Sequence, residues 1–177
     1  MHPELERVLG NVPGTDLTAL DMAEVRARRA AAGALEDSIS YVRRVIQVRL
    51  DILGTELAHR RSGEAPASSQ ELVARLPDIL AEHAGGIGPS RAPRDLLFPE
   101  VDAALVGAVD DVISTADLAS VGDIDDDSLA ELVDRLEILE GEVSATRHAL
   151  HERLDSLQGE IVRRYRTGEA SVDSLLK

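Results

Sequence analysis

Residues 35–53 read LEDSISYVRRVIQVRLDIL, and residues 139–157 read LEGEVSATRHALHERLDSL. At an offset of 104 residues, Glu36, Ser40, Arg43, Gln47 and Asp51 fall on Glu140, Ser144, Arg147, His151 and Asp155. Steps of four, three, four and four residues place five side chains within about 80° of arc at 3.6 residues per turn, so each set forms a stripe on one helix edge. Beside the first stripe runs an apolar line of Leu35, Ile39, Val42, Ile46, Leu50, Leu53 and Leu57. Its counterpart is Leu139, Val143, Thr146, Leu150, Leu154, Leu157 and Ile161. Spacings alternating between three and four are the seam of a coiled coil. Each helix then offers an apolar edge to a partner with a polar edge next to it, and pairing the two helices brings the stripes together.

The register holds further out. Arg49, Glu56 and Arg60 match Arg153, Glu160 and Arg164, and with one extra residue Arg61-Ser62-Gly63-Glu64-Ala65 matches Arg166-Thr167-Gly168-Glu169-Ala170. A solvated face with ion pairs at i,i+3 and i,i+4 explains one such stripe. It does not explain a second copy in register, which points to a binding surface.

Composition narrows the class. Aromatic residues are 2% of the 177, so a core must be aliphatic and built from helices. Cysteine is absent, which removes disulfides and thiolate metal sites and suits a reducing cytoplasm. No apolar run reaches the length of a membrane span, and the N-terminus does not read as a signal peptide. A formal charge of −14 argues against direct DNA binding and favours either plain solubility or a basic protein partner.

The expected fold is all-α: two long helices in a coiled coil, preferably antiparallel, with shorter helices inserted between them. Residues 1–20, with Pro3, Gly10, Pro13 and Gly14, read as a mobile arm. Residues 21–63 form the first long helix, opened by an Asp21–Glu24 capping box and stopped at Gly63. Residues 64–126 hold inserted short helices and loops: one helix over about 69–83, a Gly/Pro loop over 85–100, and one or two helices over 101–121. Residues 127–168 form the second long helix, starting near Asp127 or Ser128 with a Ser128–Glu131 capping box and ending at Gly168. Residues 169–177 are a short tail.

The stripe fits E-x3-S-x2-R-x3-Q-x3-D, fully in the first copy and with His151 for the glutamine in the second. That pattern resembles the signature of the RsiG family of actinobacterial anti-sigma factors, which bind cyclic di-GMP on a helical coiled coil. Two copies in one chain look like the fused form of that family, a monomer with an intramolecular coiled coil. The resemblance implies that two intercalated cyclic di-GMP molecules bind across Glu36, Ser40, Arg43, Gln47, Asp51, Glu140, Ser144, Arg147, His151 and Asp155, with no metal. It further implies that the loaded protein captures a WhiG-type sigma factor, withholding it from RNA polymerase in the cytoplasm and so regulating development or sporulation.

The side-chain chemistry is consistent with that implication. Arg43 and Arg147 can bond guanine O6 and N7, stack on a purine or neutralise phosphate. Asp51 and Asp155 can accept from a guanine Watson–Crick edge, and Ser40, Ser144 and Gln47 suit phosphate or ribose. Glu36 and Glu140 can accept from a second guanine or hold an arginine. His151 can donate to phosphate or ribose, with a charge that varies near neutral pH. Arg44, Arg49 and Arg153 could add positive potential. A ligand-independent coiled-coil adaptor is the alternative, its stripes serving as interhelical ion pairs. Catalysis has no foothold: no nucleophile motif is present, and the two acids of a stripe lie about 22 Å apart along the helix. His148, His151 and Glu152 lack metal-ligand spacing and read as surface residues.

Overall fold

The computed structural model describes residues 16–63 and 103–169, together with Glu71 and Ala74. Within them the order is a 3-10 turn at Leu17–Ala19, α1 (Met22–Arg61), α2 (Ala103–Asp110), α3 (Thr115–Ala119), a 3-10 turn at Val121–Asp123, and α4 (Asp126–Thr167). Of the expected helix over 69–83 only Glu71 and Ala74 are described, both helical, while the loop over 85–100, residues 170–177 of the tail and residues 1–15 of the arm lie outside the described residues.

α1 has 40 residues and α4 has 42, each about 60 Å long. Each helix carries an apolar edge along this length, and helices in proteins take most of their stability from packing such an edge, so the pair depends on its seam. The helices run antiparallel. Arg26 donates to the Tyr165 hydroxyl near one end, Arg43 pairs with Glu140 in the middle, and Arg60 pairs with Asp126 at the other end.

The seam is the expected one. Ile39, Val42, Ile46 and Leu53 of α1 are at most 2% exposed, as are Val143, Thr146 and Leu150 of α4, while Leu35, Leu50, Leu154 and Ile161 pack at its margins. Each fully buried Leu or Ile contributes about 2 kcal/mol through burial. Thr146, the one polar member, returns its hydroxyl to the Glu142 carbonyl at 2.9 Å, so it enters the seam without an unmet donor. α2 and the turn after it add Leu105, Val109, Ile113 and Val121 to the same core.

The helix starts follow the repeat. Asp21 caps α1, accepting from the Glu24 amide at 2.7 Å, while the Glu24 side chain lies toward Arg28 rather than back on the cap. Asp125 caps α4, accepting from the Ser128 amide at 2.9 Å. α4 therefore starts before the Ser128–Glu131 box suggested by the sequence. A carboxylate accepts from the free amides of a first turn at least as well as a hydroxyl, and Asp125 stands 104 residues after Asp21. Gly63 and Gly168 take φ of +85° and +76° at the helix ends, a left-handed turn that a side chain would strain. Residues 16–20 of the expected arm are built into the fold: Asp16 caps the Leu17–Ala19 turn through the Thr18 amide and hydroxyl.

Candidate functional site

The antiparallel seam lays the two stripes edge to edge, related by a pseudo-twofold axis passing between Ser40 and Ser144. Arg43 Nε donates to Glu140 Oε1 and to Ser144 Oγ, both at 2.8 Å. Arg147 Nε donates to Glu36 Oε1 at 3.0 Å and to Ser40 Oγ at 2.8 Å. Each serine also donates to the glutamate one turn before it, Ser40 to Glu36 at 2.6 Å and Ser144 to Glu140 at 3.0 Å. Gln47 Nε2 reaches Glu140 at 3.5 Å, and His151 Nε2 reaches Glu36 at 3.2 Å. Eight of the ten stripe residues thus form two reciprocal clusters, each drawing on both helices. Asp51 and Asp155 stand beyond them, at opposite ends of a surface about 35 Å long.

The clusters are partly exposed. Arg43 and Arg147 are 35% and 38% exposed, and the glutamates holding them are more covered, Glu36 at 16% and Glu140 at 23%. Each arginine uses only Nε, and no hydrogen bond to a described residue occupies its terminal nitrogens. The Nε bonds orient the guanidinium while four N–H donors per arginine remain for something outside the protein. Burial works against the charge of Glu36, but the Ser40 hydroxyl, Arg147 and His151 outweigh it and hold its pKa below the usual carboxylate value. It therefore stays an anion able to orient Arg147.

An open groove of about 260 Å³ lies at one end of the paired stripes, lined by Gln47, Leu50, Asp51, Glu137 and Glu140. Glu137 was not among the residues singled out from the sequence. Its repeat mate is Gly33, so the two half-sites differ there as well as at Gln47 and His151.

Arg49 does not join this surface. It is 6% exposed on the far side of the seam, donating to the Ile113 carbonyl, Asp110 and Thr115, and so ties α2 and α3 to α1. Arg44 is exposed beside the stripe. His148 pairs loosely with Glu152 at 3.5 Å on the surface, and no group of three or more metal-ligating side chains gathers among the described residues.

The back edge carries a second duplicated pair. Arg60 Nε bonds Glu56 at 2.6 Å, and its terminal nitrogens bond the carbonyls of Val121, Gly122 and Ile124. Arg164 Nε bonds Glu160 at 2.6 Å and its NH2 bonds the Leu17 carbonyl at 2.7 Å. The same device anchors the turn that precedes each long helix. Hydrogen bonds from Arg163 and Arg164, working against burial, bring the Glu160 pKa down to about 2 from an ordinary 4.5. A carboxylate held low stabilises the fold above about pH 4.5, and that stability is lost as pH falls toward 2. Thermal melts should therefore drop between about pH 4.5 and pH 2, and Glu160→Gln should melt lower at pH 6 with a smaller acid-induced drop.

The described residues form an all-α fold of two long paired helices that carries a symmetric, donor-rich stripe. The chain matches the RsiG-like family over residues 11–80 and 115–177, and it belongs to that family. This makes it a regulator of the anti-sigma-factor type, in a family that is not one of enzymes, with a sigma factor as its partner. No curated protein matches it. Among the described residues no helix is long and apolar enough to cross a membrane.

Proposed function

We propose that the paired stripes bind two molecules of cyclic di-GMP and that the loaded protein sequesters a WhiG-type sigma factor from RNA polymerase in the cytoplasm. The observation carrying this reading is the reciprocal placement of Arg43 and Arg147, each oriented through Nε with its terminal donors open. A cyclic dinucleotide with internal twofold symmetry matches a surface with pseudo-twofold symmetry. Phosphate or the guanine O6/N7 edge takes the arginine forks, while Asp51 and Asp155 accept from guanine N1–H and N2. The groove at Gln47 and Asp51 suits a base rather than a whole ligand, so most of the ligand pair lies on the open face. His151 gives the second half-site a donor at the place of Gln47, next to Glu36.

Calorimetric titration of the full chain with cyclic di-GMP should saturate near two nucleotides per chain. Retention of the sigma factor on immobilised protein should then require the nucleotide. Equal retention with and without it sinks the coupling.

The interhelical pairs Arg43–Glu140 and Arg147–Glu36 also favour a second reading, a ligand-independent coiled-coil adaptor. That reading expects no heat with cyclic di-GMP, even with the partner present.

A further inference from the structure

We propose that Arg29 extends the stripe at its His151 end and, with Arg147, takes the phosphates of the first cyclic di-GMP, so that the two half-sites bind unequally and in order. This rests on the cyclic di-GMP reading above. Arg29 lies seven residues before Glu36, which returns it to within about 20° of Glu36, about 10 Å away along the same edge of α1. Its neighbour Arg28 is turned from that line by about 100° and reaches Glu24 at 3.7 Å. Arg29 is exposed, and no hydrogen bond or ion pair joins it to a described residue.

The antiparallel pairing decides which half-site Arg29 joins. The groove at one end is lined by Gln47, Leu50 and Asp51 of α1 with Glu137 and Glu140 of α4. The pseudo-twofold sets His151, Leu154 and Asp155 of α4 with Gly33 and Glu36 of α1 at the other end, where His151 meets Glu36 at 3.2 Å. Arg29 is the next residue along that edge. At each place where the two ends differ, the His151 end is the more basic. Arg29 stands against Val133, which packs on the core, Gly33 against Glu137, and His151 against Gln47. At the Gln47 end Arg43 faces Glu140, Asp51 and Glu137, a set that accepts from the N–H donors of a guanine edge and repels phosphate. At the His151 end Arg29 and Arg147 bring two guanidinium groups to Glu36 and Asp155, and guanidinium forks bind phosphate. Cyclic di-GMP is a dianion, so the first molecule binds at the more positive end, and that step is the tighter and the more sensitive to salt.

Calorimetric titration of the full chain with cyclic di-GMP at low and high salt tests this, with thermal melts confirming that each variant is folded. The expected titration has two steps, the tighter one weakened by salt. Arg29→Ala should weaken the tight step by about 10-fold and leave the other within about twofold. Glu137→Ala should instead strengthen the weak step. Arg28→Ala is the control, because it removes the same charge from the neighbouring face, and it should leave both steps within about twofold. An effect of Arg29→Ala no larger than that of Arg28→Ala, or two equal steps that Glu137→Ala does not alter, would overturn the proposal. No heat from the folded wild-type chain would overturn the cyclic di-GMP reading itself.

Discussion

Arg60→Met is expected to lower the unfolding free energy by about 3–5 kcal/mol, measured by urea denaturation near neutral pH. Arg60 and Glu56 have side chains only 4% and 0% exposed, so the substitution leaves a carboxylate in the core without its cation. Burial disfavours the Arg60 charge, but bonds to Glu56 and Asp126 outweigh it and raise its pKa above the ordinary arginine value. The loss is larger than one ion pair. Arg60 also satisfies three carbonyls of the turn before α4, and without it that turn and the α4 cap loosen together. At this chain length the melting temperature should fall by on the order of 10 °C. Adding Glu56→Leu should recover much of the loss, because an apolar pair of similar size has no buried charge to compensate. A single-variant loss under about 1 kcal/mol would mean that Glu56 finds water or another partner when the fold relaxes.

The features legible in the sequence are those set by local spacing. The three-and-four apolar lines of residues 35–57 and 139–161 define the seam, and Gly63 and Gly168 mark the stops, because each depends on residues within a few turns. Helix orientation rests on different information. Either direction brings the stripes side by side, and only the antiparallel one lets Arg43 meet Glu140 while Arg147 meets Glu36. Arg49, Glu56 and Arg60 were visible as repeated positions, yet their role depends on residues 110–126 folding back on α1, which no helical periodicity encodes. The Asp125 cap was reachable through the offset from Asp21, although the Ser-x-x-Glu box pointed elsewhere. Glu137 was not, because its mate Gly33 carries no side chain and the offset therefore gives it no signal.

The repeat separates two tasks between the two edges of one coil. On the back edge, Arg49, Arg60 and Arg164 are buried and bonded to main-chain carbonyls, so they fix the turns and inserted helices. On the front edge, Arg43 and Arg147 are more than a third exposed and engaged through one nitrogen each. A structural arginine can be enclosed when its donors are met by carboxylates and carbonyls, while a binding group must keep donors open to solvent. That difference in burial and donor use supports a binding role for the stripe.

Arg43→Ala and Arg147→Ala should each weaken cyclic di-GMP binding by about 10- to 100-fold, through loss of charge-assisted hydrogen bonds of about 1.5–3 kcal/mol. Stability should change by no more than about 1 kcal/mol, because an ion pair this exposed contributes little to folding. The uneven size of the two effects is the informative result. An adaptor built on interhelical ion pairs puts the whole consequence of Arg43→Ala into the melt and the sigma interaction, with nothing to lose in a nucleotide titration. A ligand site puts it mainly into the titration and transmits it to sigma retention only when nucleotide is present. The pseudo-twofold adds a further constraint. Glu36→Gln acts on Arg147, and Glu140→Gln on Arg43, so each should weaken binding through the arginine of the opposite helix. In a double-mutant cycle Glu140→Gln should couple strongly to Arg43→Ala and weakly to Arg147→Ala. Equal coupling to both arginines would show that the two clusters do not act as separate half-sites.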